Sequence, residues 1–327
     1  MIEQMLTLAG ANLASPIVLF FALGVAAALA RSDLTVPEAF AKGLTIYLML
    51  AIGFKGGVAV ANNGITLDFL TTAAAGILLG VLIPVIAHGV LTRTRLLDPL
   101  NAAAVAAHYG SVSIVTFVAG TTLLTSLGVA YDGYMIAVTA IMETPAIVVG
   151  LWLANASLKG DEQAGFSKSL LHEVFLNGSV VLLMGAFLIG YASGEPGMKA
   201  ISAFVDAPFK GVLCLFMLDM GLLAGRRLAS ARLLTPGLVM FGLVMPLVSA
   251  ALGLALALAL GLSPGTGTLL MTLAASASYI AVPAAMRIAL PQANPAIYVT
   301  LSLAVTFPFN LSVGLPLYYF AASNLLG

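Results

Sequence analysis

Charge is what this chain has least of. Asp, Glu, Lys and Arg make up 8% of its 327 residues, with 13 acids balancing 13 bases, where a water-soluble domain uses about 25%. So few charges cannot cover a soluble surface. The neutral balance, without a basic stripe threaded by aromatics, also argues against a nucleic-acid partner. There is 1 cysteine, Cys214, so no disulfide can form within the chain and the redox compartment is not legible. The 3 histidines, His88, His108 and His172, do not stand at metal-ligand spacing, and neither a G-x-S-x-G turn nor a glycine-rich phosphate loop is present. An enzyme of the soluble type is therefore not expected. An intramembrane aspartyl protease would need a second midplane aspartate to face Asp219, and the sequence offers none.

What the chain has is hydrophobic length. Apolar residues make up 61% of it, in runs of about 20 residues or more, long enough to cross a bilayer as helices and too long for barrel strands. Ten spans are read near residues 13 to 30, 37 to 60, 67 to 91, 98 to 127, 133 to 155, 171 to 193, 205 to 228, 234 to 261, 265 to 289 and 296 to 322. The expected fold is all-α and integral to the membrane, with lipid as its surroundings. The polar stretch Ser157 to Lys168 divides it into residues 1–156, a short linker at 157–168 and residues 169–327. Basic residues set the orientation. Nine of them (Arg31, Arg93, Arg95, Lys159, Lys168, Arg226, Arg227, Arg232 and Arg287) follow odd-numbered spans, and Lys199 alone follows an even one. The positive-inside rule then places the odd loops and the linker in the cytoplasm and both termini outside. Lys55, near the outer end of its span, is expected to carry its ammonium group to the interface.

The two halves repeat. Lys42-Gly43, Met49-Leu50, Gly53 and Gly57 recur 168 residues later as Lys210-Gly211, Met217-Leu218, Gly221 and Gly225. Gly80 and Pro84 return as Gly242 and Pro246, Ser111-Val112-Ser113 as Ser276-Ala277-Ser278, Pro145 as Pro308, and Gly24 aligns with Gly190. Because each copy holds five spans, the second must run through the membrane upside down relative to the first. Inverted repeats of this kind characterise secondary transporters, whose site lies at the repeat interface.

Matching interruptions locate that site. In span four, Asn101 to Tyr109 leads into Gly110-Ser111-Val112-Ser113 and then Ile114 to Thr125; in span nine, Thr268 to Ala275 leads into Ser276-Ala277-Ser278-Tyr279 and then Pro283 to Arg287. Each reads as two half-helices joined by a break. Half-helix N-termini present amides to an anion, and C-terminal ends present carbonyls to a cation. Gly110, Ser111, Ser113, Ser276, Ser278 and Tyr279 are the substrate-binding candidates. Glu143, in Met142-Glu143-Thr144-Pro145, and Asp219 are carboxylates inside spans, where a charge costs about 2.5–3.5 kcal/mol at the bilayer centre on insertion scales and so should face protein or water. With the hydroxyls of Thr116 and Thr306 they are the cation-binding candidates.

Gly110-Ser-Val-Ser113, Met142-Glu-Thr-Pro-Ala146, Ser276-Ala-Ser-Tyr-Ile-Ala-Val-Pro283, Arg287, Leu290-Pro-Gln-Ala-Asn-Pro295 and Tyr298 together resemble the sodium-dependent bicarbonate transporter family best known from cyanobacteria. The resemblance spans nearly the whole chain. It implies a homotrimer with core and gate domains, sodium-driven bicarbonate uptake across the inner membrane, and a PII-like regulatory protein on the cytoplasmic face. It also implies that Ser111, Ser113, Ser276, Ser278 and Glu143 bracket substrate and sodium, the coupling ion, with no further cofactor. Two departures stand out: Tyr279 occupies a position where cyanobacterial members carry an aspartate, and the linker is shorter than theirs. The residues alone leave open a sodium- or proton-coupled symporter of a larger organic anion, of the bile-acid or auxin-carrier type, and a membrane sensor or channel without coupled movement.

Overall fold

Helix starts in this chain are marked by proline behind a capping side chain. Ser15, Asp98, Thr235, Ser263 and Asn294 each accept a hydrogen bond from an amide of the first turn, and Pro16, Pro99, Pro236, Pro264 and Pro295 follow them. Proline brings no amide to the start, and the cap satisfies at least one of those that remain. The structure, a computed structural model, describes residues 10–156, 178–229, 234–280 and 282–327. It is 82% helical, with no strand among the described residues. The linker at 157–168, His172 and Arg232 lie outside the described residues, as does the Arg287 side chain.

The helices are α1 (Pro16–Leu29), α2 (Glu38–Asn63), α3 (Leu67–Arg93), α4 (Pro99–Gly110), α5 (Ile114–Ser126) and α6 (Met135–Asn155). They continue as α7 (Gly178–Val205), α8 (Phe209–Ala229), α9 (Pro236–Leu260), α10 (Pro264–Ala275) and α11 (Val282–Ala289). The last, α12 (Pro295–Leu325), widens into two π-helical stretches at Leu301–Thr306 and Asn310–Gly314. Among the described residues, 6 helices are long and apolar enough to cross a bilayer, α4 and α5 counting as one, and α7 with α8, bent by 53°, makes a seventh.

The ten apolar regions therefore do not become ten unbroken helices. The first is a 14-residue helix, and the ninth is split into pieces of 12 and 8 residues by its run of small polar residues. Helix α7 passes the expected end at residue 193 through a kink at Gly194 (φ 55°, ψ −151°). Lys199 accordingly sits on a helix, not in a loop.

Two groups of helices result. In one, α1 packs on α8 and α7 on α2, each pair brought together by glycine. A Cβ on Gly24 would overlap the Leu218 carbonyl, and one on Gly57 would overlap the Phe187 carbonyl. In the other group α3, α4 and α6 pack together, α9 packs on α10, α10 on α12, and α5 bridges to α10. The partners in the first group come from opposite halves of the chain. The same exchange recurs at the loops. The Asn294 amide donates to Asn101 Oδ1 at the start of α4 (2.8 Å), and the Asp132 amide donates to Thr266 Oγ1 at the start of α10 (3.0 Å). Asn101 and Thr266 are 165 residues apart, the spacing that separates Ser111 from Ser276.

Candidate functional site

The two interruptions meet. Helix α4 ends at Gly110, Ser111 (φ −87°, ψ 163°) and Ser113 (φ −101°, ψ 108°) are extended, and α5 begins at Ile114. Helix α10 ends at Ala275 and Ser276 is likewise extended (φ −77°, ψ 159°). An extended segment buried in protein must find partners for its backbone, and each break finds them in the other. The Ser113 amide donates to Ser276 Oγ at 2.9 Å, and the Ser278 amide donates to the His108 carbonyl at 2.8 Å. The Ser276 hydroxyl donates onward to the Leu273 carbonyl at 2.9 Å, while Ser113 Oγ accepts the Thr116 amide at 3.2 Å and so caps α5.

A further side chain completes the crossing. Asn310, fully buried in the second π-helical stretch of α12, donates from Nδ2 to the Ala275 carbonyl at 2.8 Å and accepts the Tyr318 hydroxyl at 2.7 Å. A π-helical turn presents side chains at angles a regular helix does not, and such turns are frequent at functional sites. His108 is held from behind, with Nδ1 2.7 Å from the Ala104 carbonyl and its ring 4.4 Å from that of Tyr298.

Beside the crossing lies a cavity of about 10 Å³, enough for one water-sized particle. Ser113, Ser278, Tyr279 and Glu143 face it with the apolar side chains of Met49, Val112, Ile114 and Ile280. Glu143 is 3% exposed and its Oε2 has no hydrogen-bond partner. The Tyr279 hydroxyl lies close to the Ser113 side chain, outside hydrogen-bond geometry. The cavity thus offers a carboxylate and three hydroxyls, hard oxygen donors of the kind that suit a small hard cation. It also lies at the capped N-terminal end of α5, where unpaired amides favour an anion. Among the described residues no group of three His, Cys, Asp or Glu side chains is placed to hold a metal ion.

The other candidates are placed differently. Ser276 is part of the crossing without lining the cavity, and Ser111 is fully buried with its hydroxyl unpartnered. Gly110 is required for packing, because a Cβ there would overlap the ring of Pro84 on α3. Thr306 donates to the Gly242 carbonyl at 2.8 Å and accepts the Tyr109 hydroxyl, tying α4, α9 and α12 together. Thr116 enters through its amide, and Asp219, buried on α8 and influenced by Arg226 of the same helix, is not at the cavity. The sequence reading missed Asn310 and the lining role of Met49. A survey of every polar side chain inside the spans would have found Asn310, since a buried amide in a span must be paired.

A family model described as the Na+-dependent bicarbonate transporter superfamily matches residues 16–323. No curated protein matches the chain.

Proposed function

We propose, from the premise that the chain belongs to the Na+-dependent bicarbonate transporter superfamily, that it takes up bicarbonate by sodium-coupled alternating access around the crossed breaks. The observation that carries this reading is the pairing of the two breaks, the Ser113 amide with the Ser276 hydroxyl and the Ser278 amide with the His108 carbonyl near the end of α4, beside a buried carboxylate with an unpaired oxygen. In this arrangement Glu143 and the hydroxyls of Ser113 and Ser278 hold the cation, and the start of α5 with Tyr279 receives the anion. A cation at Glu143 offsets the carboxylate that would otherwise repel the anion, which is a direct physical source of coupling.

The exchanged packing of α1 with α8 and α7 with α2, and the matched loop bonds of Asn294 and Asp132, support an inverted two-fold repeat of five helices each. That symmetry gives two equivalent ways to expose one site. The reading extends to ten membrane crossings, counting the short α1 and the split α10–α11, with both termini outside an inner membrane, a homotrimeric assembly and a PII-like partner on the cytoplasmic face.

The test is uptake of radiolabelled bicarbonate into proteoliposomes at fixed pH, with and without an inward sodium gradient. Sodium-stimulated accumulation is expected. Folded protein that accumulates no bicarbonate under either condition refutes the substrate assignment, and accumulation that ignores sodium refutes the coupling.

A further inference from the structure

The repeat is broken at several charged positions, and one of these breaks falls on a cavity. In the first copy Lys42 pairs with Glu38 one turn earlier at 2.8 Å, a neutral couple at the start of α2. Lys210 is the equivalent lysine 168 residues on, and Asp206 stands in the place of Glu38. Asp206, however, is bonded to Lys55, whose ammonium also lies 4.8 Å from the centre of the Phe209 ring. The position equivalent to Lys55 in the second copy is Leu223, so Lys55 has no charged counterpart. By taking Asp206 it leaves Lys210 exposed at the start of α8 and without an ion pair among the described residues.

Lys210 borders two cavities, about 300 Å³ between α2, α5, α6 and α8, and about 270 Å³ between α1, α5, α8 and α12. Both run along the second half of α5. Phe117 lines the first of them and Ile114 lines the cavity at the breaks, one helical turn apart or about 4.5 Å of rise. Two ammonium groups against one carboxylate, at the positive end of α8, give this crevice a net positive field. At the equivalent place in the first copy Lys42 is neutralised by Glu38.

We propose that this crevice is an anion-collecting vestibule, in which Lys55 draws Asp206 aside so that Lys210 concentrates small inorganic or carboxylate anions beside the breaks. Its part in uptake rests on the proposed function; the field itself does not.

Cys214, the single cysteine, lies one turn after Lys210 and lines the neighbouring cavity, so its thiolate can report the field. The purified full chain is treated with an anionic sulfonatoethyl or a cationic trimethylammonioethyl methanethiosulfonate, each rate being divided by that with a free thiol. The anionic reagent should react faster. One charge acting over the roughly 6 Å between such neighbours is worth about threefold in each rate, so Lys210→Gln should lower the anionic-to-cationic ratio about tenfold. Lys55→Met should lower it as well, by removing one positive charge from the crevice and returning Asp206 to Lys210. A ratio unmoved by both substitutions overturns the vestibule. In proteoliposomes Lys210→Gln should raise the KM for bicarbonate several-fold, more at low salt than at high; a shifted ratio with an unshifted KM overturns its part in uptake. Wild-type protein with the expected ratio and no uptake would instead sink the substrate reading and leave the anion site standing.

Discussion

Replacing Ser276 with alanine tests whether the two breaks hold each other. Its hydroxyl accepts the Ser113 amide and donates to the Leu273 carbonyl, both at 2.9 Å, with Ser276 1% and Ser113 4% exposed. The carbonyl keeps a partner after the substitution, since the Ser276 amide also donates to it. The Ser113 amide does not, and a buried orphaned donor costs about 1–3 kcal/mol. Interhelical hydrogen bonds in membrane proteins average about 0.6 kcal/mol and reach about 1.7, because the unfolded chain in lipid also finds partners. The Ser113 amide serves an interrupted backbone that no regular helix satisfies, so the upper part of that range applies, about 1–2 kcal/mol. At about 2–4 °C per kcal/mol for a domain of some 200 residues, Ser276→Ala should lower the melting temperature in detergent by about 2–8 °C and weaken bicarbonate uptake. Ser302→Ala is the control. That hydroxyl is as deeply buried but donates only to the Tyr298 carbonyl of its own helix, at 2.8 Å, so its loss orphans no amide. If Ser276→Ala melts with the wild type, the crossing does not stabilise the breaks.

Glu143→Gln keeps the shape and removes the charge; it should abolish sodium stimulation of uptake in protein that still folds, and intact sodium dependence would remove Glu143 from the cation site. Gly110→Ala forces a methyl group into the Pro84 ring and should cost about 1–3 kcal/mol by overpacking, read as a lower melting temperature; a wild-type value would show that α3 and α4 have room to part. Asp98, the cap of α4, has its carboxyl held below its ordinary 3.8: partial burial raises it, but hydrogen bonds from the Asn101 side chain and the Asn101 and Leu100 amides outweigh that. Its stabilisation should be complete at neutral pH and fade as pH falls through 3.8 and then below the depressed folded value. The stability gap between wild type and Asp98→Asn should close over that window, and a pH-independent gap would mean that the charge is not what caps the helix.

Local features of this fold were legible because they are local in sequence. The starts of α4 and α10 are written as a capping residue followed by proline, Asp98-Pro99 and Ser263-Pro264, and each break as small polar residues within an apolar run. The serines of the cavity followed from that, and Glu143 from the rarity of carboxylates in lipid. What was not legible is pairing across the chain. Nothing near Ser113 announces that its amide will meet Ser276, 163 residues away, nor that Asn310, 35 residues past Ala275, will cap α10. The packing role of Gly110 was not legible, because a glycine beside two serines reads equally as a ligand's approach or as a helix contact, and the Pro84 ring that a Cβ there would meet lies on another helix. That α1 is short and that the ninth region splits into α10 and α11 was not legible for a related reason: hydropathy measures apolar length, not whether the backbone stays helical through it.

The crossing also bears on which part of the molecule moves. Separating the breaks from each other would strand the Ser113 and Ser278 amides together, both buried in protein, whereas the boundary between the two helix groups carries fewer such penalties. Across it Met49 of α2 meets the cavity, α8 touches the π-helical part of α12, and Asn12 donates to the Leu311 carbonyl at 2.7 Å. The pairs α1–α8 and α2–α7 are locked by glycines against backbone carbonyls and should each shift as a unit. On the proposed function, then, the breaks stay paired while the α1, α2, α7 and α8 group and the remainder slide past one another. The vestibule along α5 lies on that same boundary, so a movement that closes it is also the movement that would open the other face.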